Sequence, residues 1–341
     1  MLAIIWYILV GVLIAGYGIL GGYDMGVGCL YLLRSDAKER AKMMEAVGPY
    51  WDANMVWLIT AGGAIFAAFP FVFATVFSGF YLAMILLLFG LIIRTVSIEF
   101  RLQLDSPSWN KIWDLAFGVG SLIASFLYGC AMGNILRGIP LDAQSNYAGS
   151  FFGLLNPYAL LTGLLSLTLF TMQGAGFLML LQPAMRNSIG PWAKRAWLAF
   201  TVIFAVVSVF TIAAQGHLLT NLLAKPILFI FPLVVLLGIV MYPLALKGGK
   251  AWRTILASST VVLGLVGTAG ASLFPRLVPD LNSAAQFSSF WTENIHLVNS
   301  LTAFNSSSSS LTLTVMAVVA GIGVPVMLAY TVYVYRALNR S

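Results

Sequence analysis

Five ionisable side chains stand where an otherwise apolar chain has little ordinary use for charge. Asp24 lies inside a long apolar stretch, about eight residues from its basic end, which is ~12 Å of helix at 1.5 Å per residue. Asp52 opens the next stretch in Tyr50-Trp51-Asp52-Ala53-Asn54-Met55-Val56-Trp57, and Arg94 stands near the end of the third, followed by Glu99 and Arg101. Charges inside a membrane are costly, so they mark functional sites by default. These five are expected to converge on one half of the bilayer. A carboxylate cluster beside arginine suits proton uptake, because a buried acid can hold and pass a proton when its charge is balanced. Asp52 and Asp24 are the candidate proton-pathway acids, Arg94, Glu99 and Arg101 their charge partners, and Trp51, Asn54 and Trp57 the supporting motif.

Each position also has a plainer use. Asp52 could cap a helix by accepting backbone N–H bonds. Asp24 with Arg94 could be a static pair that fixes helix packing, and Glu99 and Arg101 could be interfacial. Gly18, Gly22 and Gly26 recur every four residues, the small-residue face that lets helices approach closely. Trp51, Trp57, Trp109 and Trp113 suit an interfacial aromatic belt. Cys29 and Cys130 stand alone, with no disulfide framework or metal pair, and read as small core residues.

Redox chemistry is poorly provided for. His217 and His296 are the two histidines, and both fall in outer loops or at helix ends, away from where a membrane bundle holds haem. Methionine ligation stays open, since there are 13 Met. No nucleotide loop, zinc pattern or serine nucleophile stands out, and no metal site is expected in this chain.

The elements that must position these residues are membrane helices. Of 341 residues 60% are hydrophobic and 9% charged, against about a quarter charged in soluble domains. A span needs about 20 apolar residues. Nine are expected, near 3–32, 52–69, 71–98, 113–135, 154–182, 193–219, 226–246, 252–274 and 311–335, the second and third joined in a tight hairpin at Phe69-Pro70-Phe71. The first is too long for a signal-peptide core and reads as a retained helix. With the N-terminus outside and the C-terminus inside, fifteen of the eighteen Lys and Arg fall in inner segments and only Arg137, Lys225 and Arg276 in outer ones. The net charge of +7 is therefore a topology signal, and no nucleic acid is implied. The segment from Pro275 to Ser310 is expected to be a partly ordered outer loop, with no separate soluble domain. Gly21-Gly22-Tyr23-Asp24-Met25-Gly26 is echoed by Gln173-Gly174-Ala175-Gly176, and Thr60-Ala61-Gly62-Gly63 before Phe69-Pro70 by Thr268-Ala269-Gly270-Ala271 before Phe274-Pro275. The first echo suits two four-helix bundles plus a ninth helix, and the second does not follow that scheme.

The sequence resembles the smaller subunit, subunit II, of cytochrome bd-type quinol oxidases. The resemblance rests on Gly22-Tyr23-Asp24-Met25-Gly26-Val27-Gly28, Trp51-Asp52-Ala53-Asn54-Met55-Val56-Trp57-Leu58, Ala64-Ile65-Phe66-Ala67-Ala68-Phe69-Pro70, Ser78-Gly79-Phe80-Tyr81, the Arg94…Glu99-Phe100-Arg101 element and Trp113-Asp114. These motifs lie in residues 1 to about 137, and the second half matches mainly in helix count and in Phe274-Pro275. The resemblance implies an all-α polytopic fold of nine transmembrane helices: a first four-helix bundle (about 1–137), a second (about 150–274) and a ninth helix (about 311–336). It implies a heterodimer in the bacterial inner membrane with a larger subunit that carries b-type and d-type haems. That enzyme oxidises quinol and reduces oxygen to water, taking protons from the cytoplasm. Subunit II itself lacks the haem ligands, contributes to proton supply, to oxygen access in some members and to stability, and sometimes carries a bound quinone; a small single-helix subunit is a further candidate partner. By this resemblance Asp52 is the proton-uptake acid and Asp24 a second buried acid. Tyr23 stands where Phe is usual, and Met55 where Glu or Gln is common, which puts in doubt any hydrogen bond from that position to Asp52. The competing readings are a secondary transporter, for which Gly21-Gly22 and Gln173-Gly174 would be helix breaks, and a structural scaffold with inert carboxylates.

Overall fold

The computed structural model describes residues 1–284, 287, 289–290 and 299–338; His296 and Arg340 lie outside them. The fold is all-α. In chain order the helices are α1 (Leu2–Tyr31), α2 (Ala37–Val47), α3 (Trp51–Ala68), α4 (Pro70–Gly79), α5 (Tyr81–Phe100), α6 (Pro107–Arg137), α7 (Pro157–Leu181), α8 (Arg186–Ala214), α9 (Thr220–Ala224), α10 (Ile230–Lys247), α11 (Ala251–Leu273) and α12 (Ser310–Leu338). Among the described residues eight helices are long and apolar enough to cross a membrane, or nine when the bent pair α3–α4 is counted as one span.

Two departures from the expected spans have local causes. The span expected at 71–98 is not one helix. Pro70 takes the first position of α4, where its missing N–H costs nothing, and the chain bends by 117° between α3 and α4. A second break at Phe80 separates α4 from α5. The ten residues of α4 cover only ~15 Å, about half of the hydrocarbon layer. The connection between the first two expected spans folds as α2. Asp36 caps it by accepting the Lys38 N–H at 3.1 Å, and Met43 and Val47 bury its apolar side.

α1 and α7 are the most enclosed spans, and their contact is a backbone one. A Cβ on Gly26 would stand 1.7 Å from the Phe170 carbonyl oxygen, and one on Gly174 would stand 2.3 Å from the backbone of Gly26. The two echoed glycine motifs thus meet face to face. Gly22 packs on Phe170 and Gln173, whereas Gly18 faces Val262 of α11.

At the end of the bundle carrying Arg137 and Arg276, two short strands, β1 (Arg276–Val278) and β2 (Leu301–Thr302), pair antiparallel with Arg276 opposite Thr302. Asp280 accepts the backbone N–H groups of Leu141 and Ser283 at 3.2 Å each, tying the loop after α6 to this segment. Asn221 holds the same cap by donating to the carbonyls of Ala271 and Phe274 and accepting from Ser289 and Phe290.

Candidate functional site

Asp24 stands on the closely packed face of α1 and is 1% exposed. Its Oδ2 accepts the Asn54 Nδ2–H at 3.0 Å and lies 3.7 Å from Arg94 Nη2. The second distance is beyond hydrogen-bonding range, so Asp24 and Arg94 attract through charge alone. Among the described residues Asp24 Oδ1 has no hydrogen-bond partner, and neither do Arg94 Nε and Nη2. Tyr335, on α12, donates to Asn54 Oδ1 at 3.1 Å. Because that oxygen is taken, the Asn54 amide must turn its N–H toward Asp24. Four helices therefore build the site: α1 carries the acid, α5 the counter-charge, α3 the donor and α12 the group that orients the donor. Farther along α1, about two turns from the acid, Tyr17 accepts a hydrogen bond from Tyr128 at 3.1 Å.

The expected convergence of five charges is only partly realised. Arg94 meets Asp24. Asp52 is exposed in the first turn of α3, with no side-chain capping bond and no ion pair among the described residues. Successive helix residues turn by about 100°, so Asp52 and Asn54 point about 200° apart, and only one can face α1. Asn54 does. Glu99 is exposed and has no ion pair among the described residues. Arg101 turns to Asp114, with Nε 2.5 Å from Oδ1. Trp57 leaves the expected aromatic belt: it is 7% exposed, packs where a Cβ on Gly16 would lie, and donates to Thr331 of α12 at 3.3 Å. Trp51, the neighbour of Asp52 in sequence, is half-buried. Cys29 and Cys130 are buried and unbridged.

A second cluster, which sequence reasoning passed over, lies about 10 Å toward the basic end of α1. There Tyr31, seven residues from Asp24, donates to Asp114, whose carboxylate also takes Arg101 and, at 3.2 Å, Arg40 of α2. The Arg40 guanidinium lies over the Tyr31 ring, and Phe117 meets that ring edge-on. The signal was present in the quoted Trp113-Asp114 pair, but an acid near a helix start is ordinary and was given no role.

His217 lies in the turn before α9 with Nε2 3.0 Å from the Leu136 carbonyl oxygen. Burial and the nearby Arg276 push its pKa down to about 4. Arg276, 1% exposed, stacks on the Phe287 ring, 3.6 Å from its centre, and burial lowers it to about 10, so it stays charged at neutral pH. No group of three or more His, Cys, Asp or Glu among the described residues could hold a metal ion.

Residues 2–338 match the family described as cytochrome bd terminal oxidase subunit II. The chain is 35% identical to the cytochrome bd-I ubiquinol oxidase subunit 2 of Escherichia coli K12, over 98% of this chain and 93% of that one. It is 33% identical to the cytochrome bd ubiquinol oxidase subunit 2 of Bacillus subtilis, over 98% and 95%. A chain of the bd oxidase from Geobacillus thermodenitrificans superposes with a TM-score of 0.78 over 99% of this chain and 98% of that one, at 15% identity, which is a likeness of fold.

Proposed function

The chain belongs to the cytochrome bd terminal oxidase subunit II family and is an integral membrane component of a respiratory oxidoreductase complex, and from this we propose that it conducts protons to a haem site held by its partner subunit. In this reading the larger partner carries the b-type and d-type haems, oxidises quinol and reduces oxygen, and this chain holds none of them. The transporter reading falls with the family assignment. We place the complex in the bacterial inner membrane with the N-terminus of this chain outside, because that puts fifteen of eighteen basic residues inside. We keep the division into bundles at about 1–137 and 150–274 with α12 as the added helix.

One observation carries the proton reading: Asp24 is buried within a membrane span, charge-matched by Arg94, and still has one carboxylate oxygen without a hydrogen-bond partner among the described residues. A purely structural pair in a low-dielectric site is expected to fill its lone pairs and donors, since each unmade bond there costs about 1–3 kcal/mol. A carboxylate with an empty acceptor can take a proton from a passing water without first breaking a bond. Asp52, exposed at the start of the helix that also bears Asn54, is the uptake acid; Asn54 steadies Asp24, and Arg94 balances its charge while it is ionised. Drawing protons from the inside while quinol releases its own outside conserves energy across the membrane.

The test uses the assembled complex. Asp24→Asn preserves shape and the neutral form while removing the carrier, so turnover should fall with haem content intact, and Asp52→Asn should fall less. Full turnover in Asp24→Asn would reduce the pair to a packing device.

A further inference from the structure

We propose that the seam between α5 and α6 binds an anionic phospholipid, with an acyl chain in an apolar furrow and its phosphate on Lys111. Two adjoining cavities run along this seam and share Leu86 and Ile123. The one nearer the basic end, about 340 Å³, extends along α6 from Ile112 to Ile123. That stretch rises ~16 Å, half of a ~30 Å hydrocarbon layer, so the furrow is one leaflet deep. It exists because the helix backbones meet at its floor: a Cβ on Gly120 would stand 2.6 Å from the Gly90 carbonyl oxygen, so no side chain rises there to fill it.

The lining decides what can enter. Every residue of this cavity is apolar, so it offers nothing to the carbonyls of a quinone ring or to a polar side chain. The rims at Phe89, Ile93 and Leu115 are large and exposed, whereas a docked transmembrane helix favours small residues that let backbones approach. A flexible hydrocarbon chain fits best. At the mouth, Lys111 immediately precedes Ile112, is exposed, and makes no ion pair among the described residues. Arg101 is already committed to Asp114. An unpaired ammonium at the end of a one-leaflet hydrocarbon furrow complements an anionic headgroup.

The test places the intact complex in nanodiscs doped with phosphatidylglycerol or phosphatidylcholine carrying the same diazirine-labelled acyl chain, and maps the photo-adducts. Adducts should fall on α5 and α6 peptides lining the furrow, with phosphatidylglycerol favoured about five-fold, the ~1 kcal/mol that one basic side chain contributes beside anionic headgroups. Lys111→Gln, a surface change that leaves the haem spectrum and turnover as they are, should bring the two lipids to equal labelling. Val119→Trp should lower adducts from both. Equal labelling in the unaltered complex overturns the proposal, as does a preference that survives Lys111→Gln. A hydrophobic polypeptide that shields the seam from both lipids also overturns it.

Discussion

Asp24 and Asp114 are both acids held by arginine on the helices around α1, and they are wired in opposite ways. Asp114 is saturated, with Tyr31 and Arg101 on Oδ1 and Arg40 on Oδ2. Two guanidinium groups and a hydroxyl thus engage both of its oxygens. Asp24 has one amide, one arginine at a distance, and an oxygen that no described residue hydrogen-bonds. Full coordination suits a clasp that binds α2, α5 and α6 to the end of α1. Incomplete coordination suits a group that must change its state. The contrast between lock and carrier can be broken experimentally.

The largest effect is expected at Arg94. Arg94→Leu strands a buried carboxylate and should destabilise the assembled complex by about 3–5 kcal/mol, read as a lowered melting temperature, whereas Asp24→Leu with Arg94→Leu should recover most of that loss. A double variant no more stable than the single would mean the two charges are not coupled. Asp114→Asn should cost about 1–2 kcal/mol, less because Arg40 and Arg101 are partly solvated, while turnover per haem stays level; a turnover loss as large as that of Asp24→Asn would erase the distinction drawn here. Acid should weaken the end bearing His217. Its folded pKa of about 4 lies below the ordinary 6.5, so the unfolded chain takes up a proton that the folded one refuses, and stability falls as pH drops from about 6.5 toward 4. The loss is about 2 kcal/mol by pH 5, and His217→Gln should flatten the melting temperature between pH 7 and 5. Smallest of all, Tyr335→Phe frees the Asn54 amide to flip and should cost about 1 kcal/mol.

Much of this architecture is legible in the sequence, and the failures have physical reasons. A lone acid in a thirty-residue apolar stretch and a lone arginine in another invite pairing, and they pair. Asp52 and Asn54 stand two apart in one motif, but the helix turns them to opposite sides, so the more chemically promising residue faces away and the amide does the touching. The break at Phe80 escapes a reading by hydrophobicity because Ser78-Gly79 interrupt the apolar run by only two residues. α2 is hidden for the reverse reason, since its mixture of charge and methionine looks like loop until Asp36 caps it. The two glycine echoes are visible as similar strings, and nothing in a string says that the two copies touch.

The tie from Tyr335 to Asn54 also orders events in time. α12 follows every other helix in the chain, and it is fastened by the Trp6 indole to Leu313, by Trp57 to Thr331, and finally by Tyr335 near its far end. Until that last turn docks, the amide facing Asp24 is free to rotate, so a partly made subunit can fold around its acid without yet being able to aim it. Docking of this helix and aiming of the amide are thereby the same event.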